Sequence, residues 1–546
     1  MTLVDQDNRR RAMTDFTSLL LVEAAAGTGK TSLMAGRVAM MLANGHEPGE
    51  IAAITFTELA ASQLARRIKD TVDALLLNDI PAFIQPVLPD GRLTDTQRAS
   101  LASAATRLDD LTATTIHGFC QAILHTHGVQ AGLDPGARVV DAPVADALFL
   151  SELSAWFSRR LAADAIADDP IVALAQEIPL EVVELIRELA ILRRKHPDAA
   201  PIPPAANARP DITFVQAVDD FDRWQSSAER DTWARAIAQE LRQLAARYAD
   251  TFVATPDFAA LWKLCDAGRS RLFDKGLQLI SYDEAAQRFG AYRDEGGGTD
   301  AIAKYQVVID AWNELVGHIA SCLVCTLSSS LDQLLTSYRD GKRAAAVLDF
   351  DDLLLHVRNL VRCQDNVRKA IGRRYKFILI DEFQDTDRVQ NEILFSIAAI
   401  PGHQGPWQEG KLRPGSLFLV GDPKQAIYRF RGADIEAYQH CCELIRAQDA
   451  GAILEVTANF RSQSAIIKHV NRCFKDVFSK PSQPRYVALA PTIPDYAYPV
   501  SCVSRFTVEV HTDGRIYAEM FREAEAERVA EILRTLDRQR NDLARG

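Results

Sequence analysis

Eight residues near the start of the chain, Ala24-Ala25-Ala26-Gly27-Thr28-Gly29-Lys30-Thr31, have the types and order of a phosphate-binding loop, with Ala24 where the commoner form has glycine. Small residues let backbone N–H groups and the start of a following helix close on phosphate oxygens. In that chemistry Lys30 reaches the β- and γ-phosphates of a nucleoside triphosphate, and the Thr31 hydroxyl ligates Mg²⁺. Such a loop needs a carboxylate across the site to hold the metal. FILIDE, residues 377–382, supplies it as an apolar run ending in two acids. Asp381 is the metal-side acid, and Glu382, next along and pointing differently, can polarise an attacking water as general base.

These groups have to be held by strands and helices. SLLLVEAAAGTGKTSLMAGRVAMML, residues 18–42, reads as a buried strand, a small-residue turn and an apolar-periodic helix. Further strand-like runs stand at 51–56, 377–380, 417–420 and 453–456, alternating with helical stretches, the pattern of an α/β fold with a parallel sheet. Between about 135 and 345 the strand signal disappears. Trp233, Ile237, Leu241, Leu244 and Tyr248 there share one helical face, so a helical domain interrupts the sheet. The expected organisation is 1–134 and 346–450 as two parts of the nucleotide-binding domain, 135–345 as the insert, and 451–546 as the start of a further domain. Breakers at 197–211, 294–300 and 401–415 read as surface loops.

Composition bounds the function classes. The chain has 546 residues, 47% hydrophobic and 25% charged, enough for several folding units and incompatible with wholesale disorder. With 62 Lys+Arg against 73 Asp+Glu the net charge is −11, so any nucleic-acid contact has to be a local groove. We expect no membrane span and no signal peptide, hence a cytoplasmic protein. Nine scattered cysteines argue for reduced thiols. Cys322-Leu-Val-Cys325 has metal-ligand spacing without a second pair, so it is expected as a buried helical pair. The basic end of IRELAILRRKH, 186–196, is expected as a solvated helix face.

Seven blocks stand in order: AAAGTGKT at 24–31, ITFTELAASQLARRI at 54–68, TIHGFC at 115–120, LDFDDLL at 348–354, IDEFQDT at 380–386, VGDPKQAIYRFRGAD at 420–434 and NFRS at 459–462. Together they resemble the UvrD/Rep superfamily-1 DNA helicases, in particular the RecB/AddA branch. The resemblance implies a RecA-like P-loop sheet, ATP and Mg²⁺ as cofactors, and 3′-to-5′ movement on single-stranded or partly duplex DNA during double-strand-break repair. It gives ATP work to Lys30, Thr31, Asp381, Glu382, Gln425 and Arg461, sets Phe460 against adenine, and points to Gln6 as the reader of the adenine edge. For DNA it points to Thr55, Phe56, Thr57, His117, Tyr428, Phe430 and Arg431. Aromatic faces stack on any base while hydroxyls and arginine hold phosphates, which suits a motor indifferent to sequence.

The family pattern continues past NFRS with TxHxxKGLE-like and VTRA-like blocks and a nuclease module that this sequence does not contain. The expectation from the resemblance is therefore the N-terminal part of a split, truncated or partner-completed protein, with a protein partner supplying the rest of the helicase or a nuclease, and weak hydrolysis by the chain alone. A different reading is an ATP-binding switch component of a nuclease or defence complex without motor activity. A third is a scaffold whose DNA affinity ignores nucleotide.

Overall fold

The computed structural model describes residues 3–88, 90–162, 169–205, 208–226, 232–253, 256–265, 270–274, 278–290, 299–403, 405–427, 434–478, 484–495, 503, 505–508 and 517–538. Among the described residues stand the strands β1 (Leu20–Ala24), β2 (Ile51–Thr55), β3 (Thr112–Thr115), β4 (Arg138–Val139), β5 (Val347–Leu348), β6 (Phe377–Ile380), β7 (Leu417–Gly421), β8 (Ile453–Val456), β9 (Ala458–Gln463) and β10 (Ala490–Ile493). Six of them make one parallel sheet in the order β3-β2-β6-β7-β1-β8. β2, β6 and β7 are buried along their whole length, as expected of strands covered on both faces. β3 was not foreseen, because TATT is an edge strand with no apolar run.

The chain divides into two compact units, Met1–Pro135 with Phe350–Gly546, and Gly136–Asp349. In the first, the helix Lys30–Ala43 is buried from Leu33 onwards, and Glu58–Leu76 turns a stripe of Ala61, Leu64, Ile68, Val72 and Leu75 inward. Both join β1, β2, β6 and β7 in one apolar core. Because every strand of the sheet runs the same way, the loops after β1, β2, β3, β6 and β7 all leave from one edge. That edge is where an open parallel sheet binds ligands.

Among its described residues the second unit is helical apart from the β4–β5 pair, in which Arg138 lies opposite Val347, and an isolated antiparallel bridge between Phe273 and Leu279. Its described residues form one apolar cluster around Phe214, Tyr305 and Trp312 and another around Phe149, Trp156 and Leu334. Ile237, Leu241, Leu244 and Tyr248 are buried together, whereas the Trp233 side chain lies outside the described residues. Contrary to expectation, Thr299–Ala344 is long and apolar enough to cross a membrane by length and composition. Its Tyr305, Val308, Trp312, Leu315, Ile319 and Leu323 lie in the unit's own core, the position of a core helix.

Two smaller expectations are corrected. Cys322 and Cys325 are on the helix Thr299–Ser330 but only half-buried, and Cys325 makes a weak Sγ contact to the Ile202 carbonyl. Of the basic run, Arg193 and Arg194 are not solvated: they pair with Asp332 and Asp146, and the Arg194 guanidinium lies 5.0 Å from the centre of the Phe149 ring. Lys195 and His196 are exposed. The eight described cysteines are free thiols.

Candidate nucleotide and DNA site

β1 ends at Ala24 and the loop turns through Gly27 and Gly29, whose φ angles of 76° and 83° fall in the left-handed region that favours glycine. Between them Thr28 is buried and its hydroxyl donates to the Ala25 carbonyl at 2.7 Å. No side chain caps the helix Lys30–Ala43, so its first N–H groups are left to an external acceptor, the arrangement that suits phosphate. The loop opens on a cleft of about 400 Å³ lined by Gly27, Gly29, Lys30, Thr31, Ser32, Glu382, Phe460 and Arg461.

The acids arrive from β6. The Asp381 N–H donates to the Ile54 carbonyl at 2.8 Å, continuing the β2–β6 ladder one residue past the strand. The next residue, Glu382, is left-handed with φ 52° and ψ 44°, a conformation costing a non-glycine residue about 1–3 kcal/mol and concentrated at functional sites. The turn sends its carboxylate to Lys30, with Nζ and Oε2 2.5 Å apart. Gln384 Nε2 donates to Glu382 Oε2 at 3.0 Å and to Asp385 Oδ2 at 3.2 Å, while its Oε1 accepts the Asp422 N–H at 2.8 Å. Asp422, at the end of β7, accepts from Gln425 Nε2 at 2.7 Å and pairs with Lys424 at 2.8 Å. Gln425 is thus joined to Glu382 through Asp422 and Gln384, and is not itself among the cleft-lining residues.

Burial pushes the Asp381 carboxyl up to about 6; the Glu382 charge adds to this and Lys30 opposes it. Asp385 is pushed up to about 6 by the same causes, and its Oδ1 is buried without a partner. Excess negative charge of this kind is what a bound cation relieves. Among the described residues no three His, Cys, Asp or Glu converge as a metal cage. Magnesium carried by a nucleotide needs only one or two carboxylates, since phosphate oxygens and water complete its shell, so Thr31 and Asp381 are a donor set that fits.

The far wall is built by β9. The Phe460 N–H donates to the Gly27 carbonyl at 2.8 Å, and Asn459 Nδ2 donates to the Ala26 carbonyl at 2.8 Å. Asn459 Oδ1 accepts the N–H groups of Arg461 and Ser462 at 3.0 and 2.9 Å. Phe460 and Arg461 are therefore pinned to the loop through the backbone while their side chains stay exposed. Gln6 opens the helix Gln6–Thr14 and does not line the cleft. One turn on, Arg9 lies 5.0 Å from the Phe460 ring centre and donates to the Thr28 carbonyl at 2.9 Å.

Beside this cleft, on the same sheet edge, stand the residues singled out for DNA. Thr55 is buried and its hydroxyl donates to the Thr57 carbonyl at 3.1 Å; exposed Thr57 caps the helix Glu58–Leu76 by accepting the Ala60 N–H. Phe56, between them, is half-buried. Thr115, ending β3, donates to Glu58 Oε1 at 2.8 Å and accepts the Gly118 N–H, which sets His117 at the start of its helix. Burial lowers the His117 pKa, against the charges of Asp351 and Glu58. Its ring meets Phe350 edge-on at 5.5 Å, and Phe350 is 46% exposed. Tyr428, Phe430 and Arg431 lie outside the described residues.

Residues 5–254 and 323–444 match the family described as UvrD/REP helicase N-terminal domain. The chain belongs to that family. It is 24% identical over 516 residues to an ATP-dependent helicase/nuclease subunit from Desulforamulus reducens, covering 86% of this chain and 39% of the relative. It is 25% identical over 482 residues to the RecBCD enzyme subunit RecB of Escherichia coli, covering 83% and 38%. A third relative, the corresponding ATP-dependent helicase/nuclease subunit from Thermoanaerobacter sp., is 26% identical over 522 residues, covering 87% and 39%. The chain spans about two-fifths of the length of these relatives.

Within this UvrD/REP N-terminal fold, sequence reasoning missed Asp5, Arg9, Gln384, Asp422 and Asn459, the side chains that tie the loops together. Gln384 and Asp422 sit inside quoted blocks, and the Asp5–Arg9 spacing of four residues is a helical ion-pair signal. Phe350 was also overlooked, although a large aromatic within LDFDDLL that opens the helix Phe350–Cys363 and is left half exposed is the kind of residue that stacks on a base.

Proposed function

We propose that this chain binds ATP with Mg²⁺ and hydrolyses it to move along single-stranded DNA, as an ATP-dependent helicase or translocase working 3′ to 5′ in the repair of DNA breaks. The observation that carries this reading is that one sheet edge bears both a phosphate loop whose Lys30 meets Glu382 at the end of β6 and, one and two strands from β6, the Thr55–Thr57 and His117–Phe350 groups. Lys30 exchanges its Glu382 partner for the β- and γ-phosphates, which releases Glu382 to orient and deprotonate water. Arg461 meets the charge that develops on the transferred phosphoryl group, and Phe460 stacks on adenine. Magnesium, held by Thr31 and Asp381, neutralises phosphate charge when bound. Asp381 N–H on Ile54 and Gln384 on Asp422 give rigid links from the acids to β2 and β7, the strands that lead into the DNA-side loops.

The relatives are named as subunits, and the proposal extends to this chain a protein partner and, with its free thiols, a cytoplasmic setting. The test is steady-state ATP hydrolysis with and without a single-stranded oligonucleotide, beside Glu382→Gln. DNA-stimulated turnover that disappears in the variant is the expected result. Nucleotide binding that is indifferent to DNA, with equal turnover in both proteins, rejects the motor.

A further inference from the structure

The connection from the sheet to the β9–β10 ribbon is a single residue. β8 ends at Val456 paired to β1, β9 begins at Ala458 paired to β10, and only Thr457 stands between them. Both N–H groups at this crossing, those of Thr457 and Ala458, donate to one oxygen, Asp5 Oδ2, at 2.7 and 2.8 Å. The Ala458 carbonyl accepts from Arg9 Nη2 at 3.2 Å. Arg9 is held in turn by two hydrogen bonds to Asp5, at 2.9 and 3.1 Å, and the two side chains are only 9% and 3% exposed. Arg9 Nη1 also donates to the Thr28 carbonyl inside the phosphate loop, and its guanidinium carbon lies 5.0 Å from the Phe460 ring centre.

A buried ion pair is a weak source of net stability, so its geometry is the more informative property. Here four groups from two distant stretches of the chain converge on one carboxylate and one guanidinium: the crossing, the strand start and the aromatic within residues 457–460, and the Thr28 carbonyl in the loop. We propose that Asp5–Arg9 is a positioning pair, which fixes the crossing at Thr457 and sets Phe460 over the cleft, so that recognition of the nucleoside end of ATP depends on it. This rests on the cleft being the ATP site. Arg9 reaches the Phe460 ring and the Thr28 carbonyl, and the side chains of Lys30 and Thr31, which meet the triphosphate, are not among its hydrogen-bond partners. Loss of the pair therefore weakens ATP more than a bare triphosphate chain.

The experiment measures binding of Mg·ATP and of Mg·tripolyphosphate to the full chain, for wild type, Arg9→Lys, Phe460→Ala, their double variant and Lys30→Ala, each checked by thermal melting. Arg9→Lys keeps the charge but loses the planar fork. The expected outcome is an ATP affinity about 10-fold lower with tripolyphosphate changed less than about 2-fold, and no further loss when Arg9→Lys is added to Phe460→Ala. Equal losses for both ligands, or full additivity with Phe460→Ala, overturn the proposal in favour of a purely structural pair. If Arg9→Lys does not fold, the Asp5→Asn/Arg9→Gln double variant, which leaves no uncompensated charge, is measured in its place; failure of both to fold overturns it as well. Lys30→Ala binding ATP as well as wild type does would instead reject the ATP site itself, separately from the role of Arg9.

Discussion

At the scale of single residues, Asp381 is the sharpest case of a group that the fold holds against its own stability. Its pKa, raised from 3.8 to about 6 by burial and the Glu382 charge, means that the folded chain keeps the proton longer than the unfolded chain. The favourable contribution is complete below about pH 4 and is lost as pH rises from about 4 to 6. At pH 7 the cost is bounded by about two pKa units, or about 3 kcal/mol. Asp381→Asn is therefore expected to raise stability to unfolding at pH 7 by about 1–3 kcal/mol, with the gain vanishing below pH 4, while ATP turnover is abolished. Denaturant melts at the two pH values check this; a variant less stable than wild type at pH 7 contradicts the burial argument. Phe350 gives a second expectation. Phe350→Ala should weaken single-strand binding by about 1–3 kcal/mol, the worth of one stacked base, without altering ATP affinity measured in the absence of DNA.

At the scale of elements, the site depends on a close fit between the phosphate loop and β9. A Cβ built on Gly27 would stand 2.7 Å from both Arg461 Cβ and Asn459 Nδ2, at a φ of 76°. Gly27→Ala is expected to cost about 1–3 kcal/mol from backbone strain and the displaced strand together, and to lower ATP affinity by moving Phe460 and Arg461. Isothermal titration and melting test it; ATP affinity unchanged within error would mean that β9 yields without consequence. The same strand shows where reading the sequence stops. β1, β2, β6, β7 and β8 were legible because each is an apolar run bounded by turn residues, whereas ANFRSQ and TATT bury little apolar surface and pair because of where their neighbours put them. Lys30, Asp381 and Glu382 were legible because their spacing states their chemistry. Asp5–Arg9 was not, since its partners at Thr28, Thr457 and Ala458 are brought to it only by the order in which the strands assemble.

At the scale of the whole molecule, the order β3-β2-β6-β7-β1-β8 bears on what the inserted unit contributes. β6, which follows the insert, pairs with β2 before it and with β7 after it, so the sheet closes only when segments on both sides of Gly136–Asp349 meet. All six strands and every residue lining the cleft belong to the first unit. The two ends of the insert are tied together at their base, where Arg138 is paired with Val347, so the chain ends left by its removal lie within about 20 Å of one another. A flexible linker of about eight residues can reach about 28 Å and closes this gap at small entropic cost. Replacing 137–348 with such a Gly/Ser linker is expected to leave a folded chain that binds Mg·ATP within about 3-fold of the full protein, a change worth less than about 1 kcal/mol. If the shortened chain aggregates or binds no nucleotide, the insert is part of the folding core of the ATP unit, and the independence that the strand order implies is wrong.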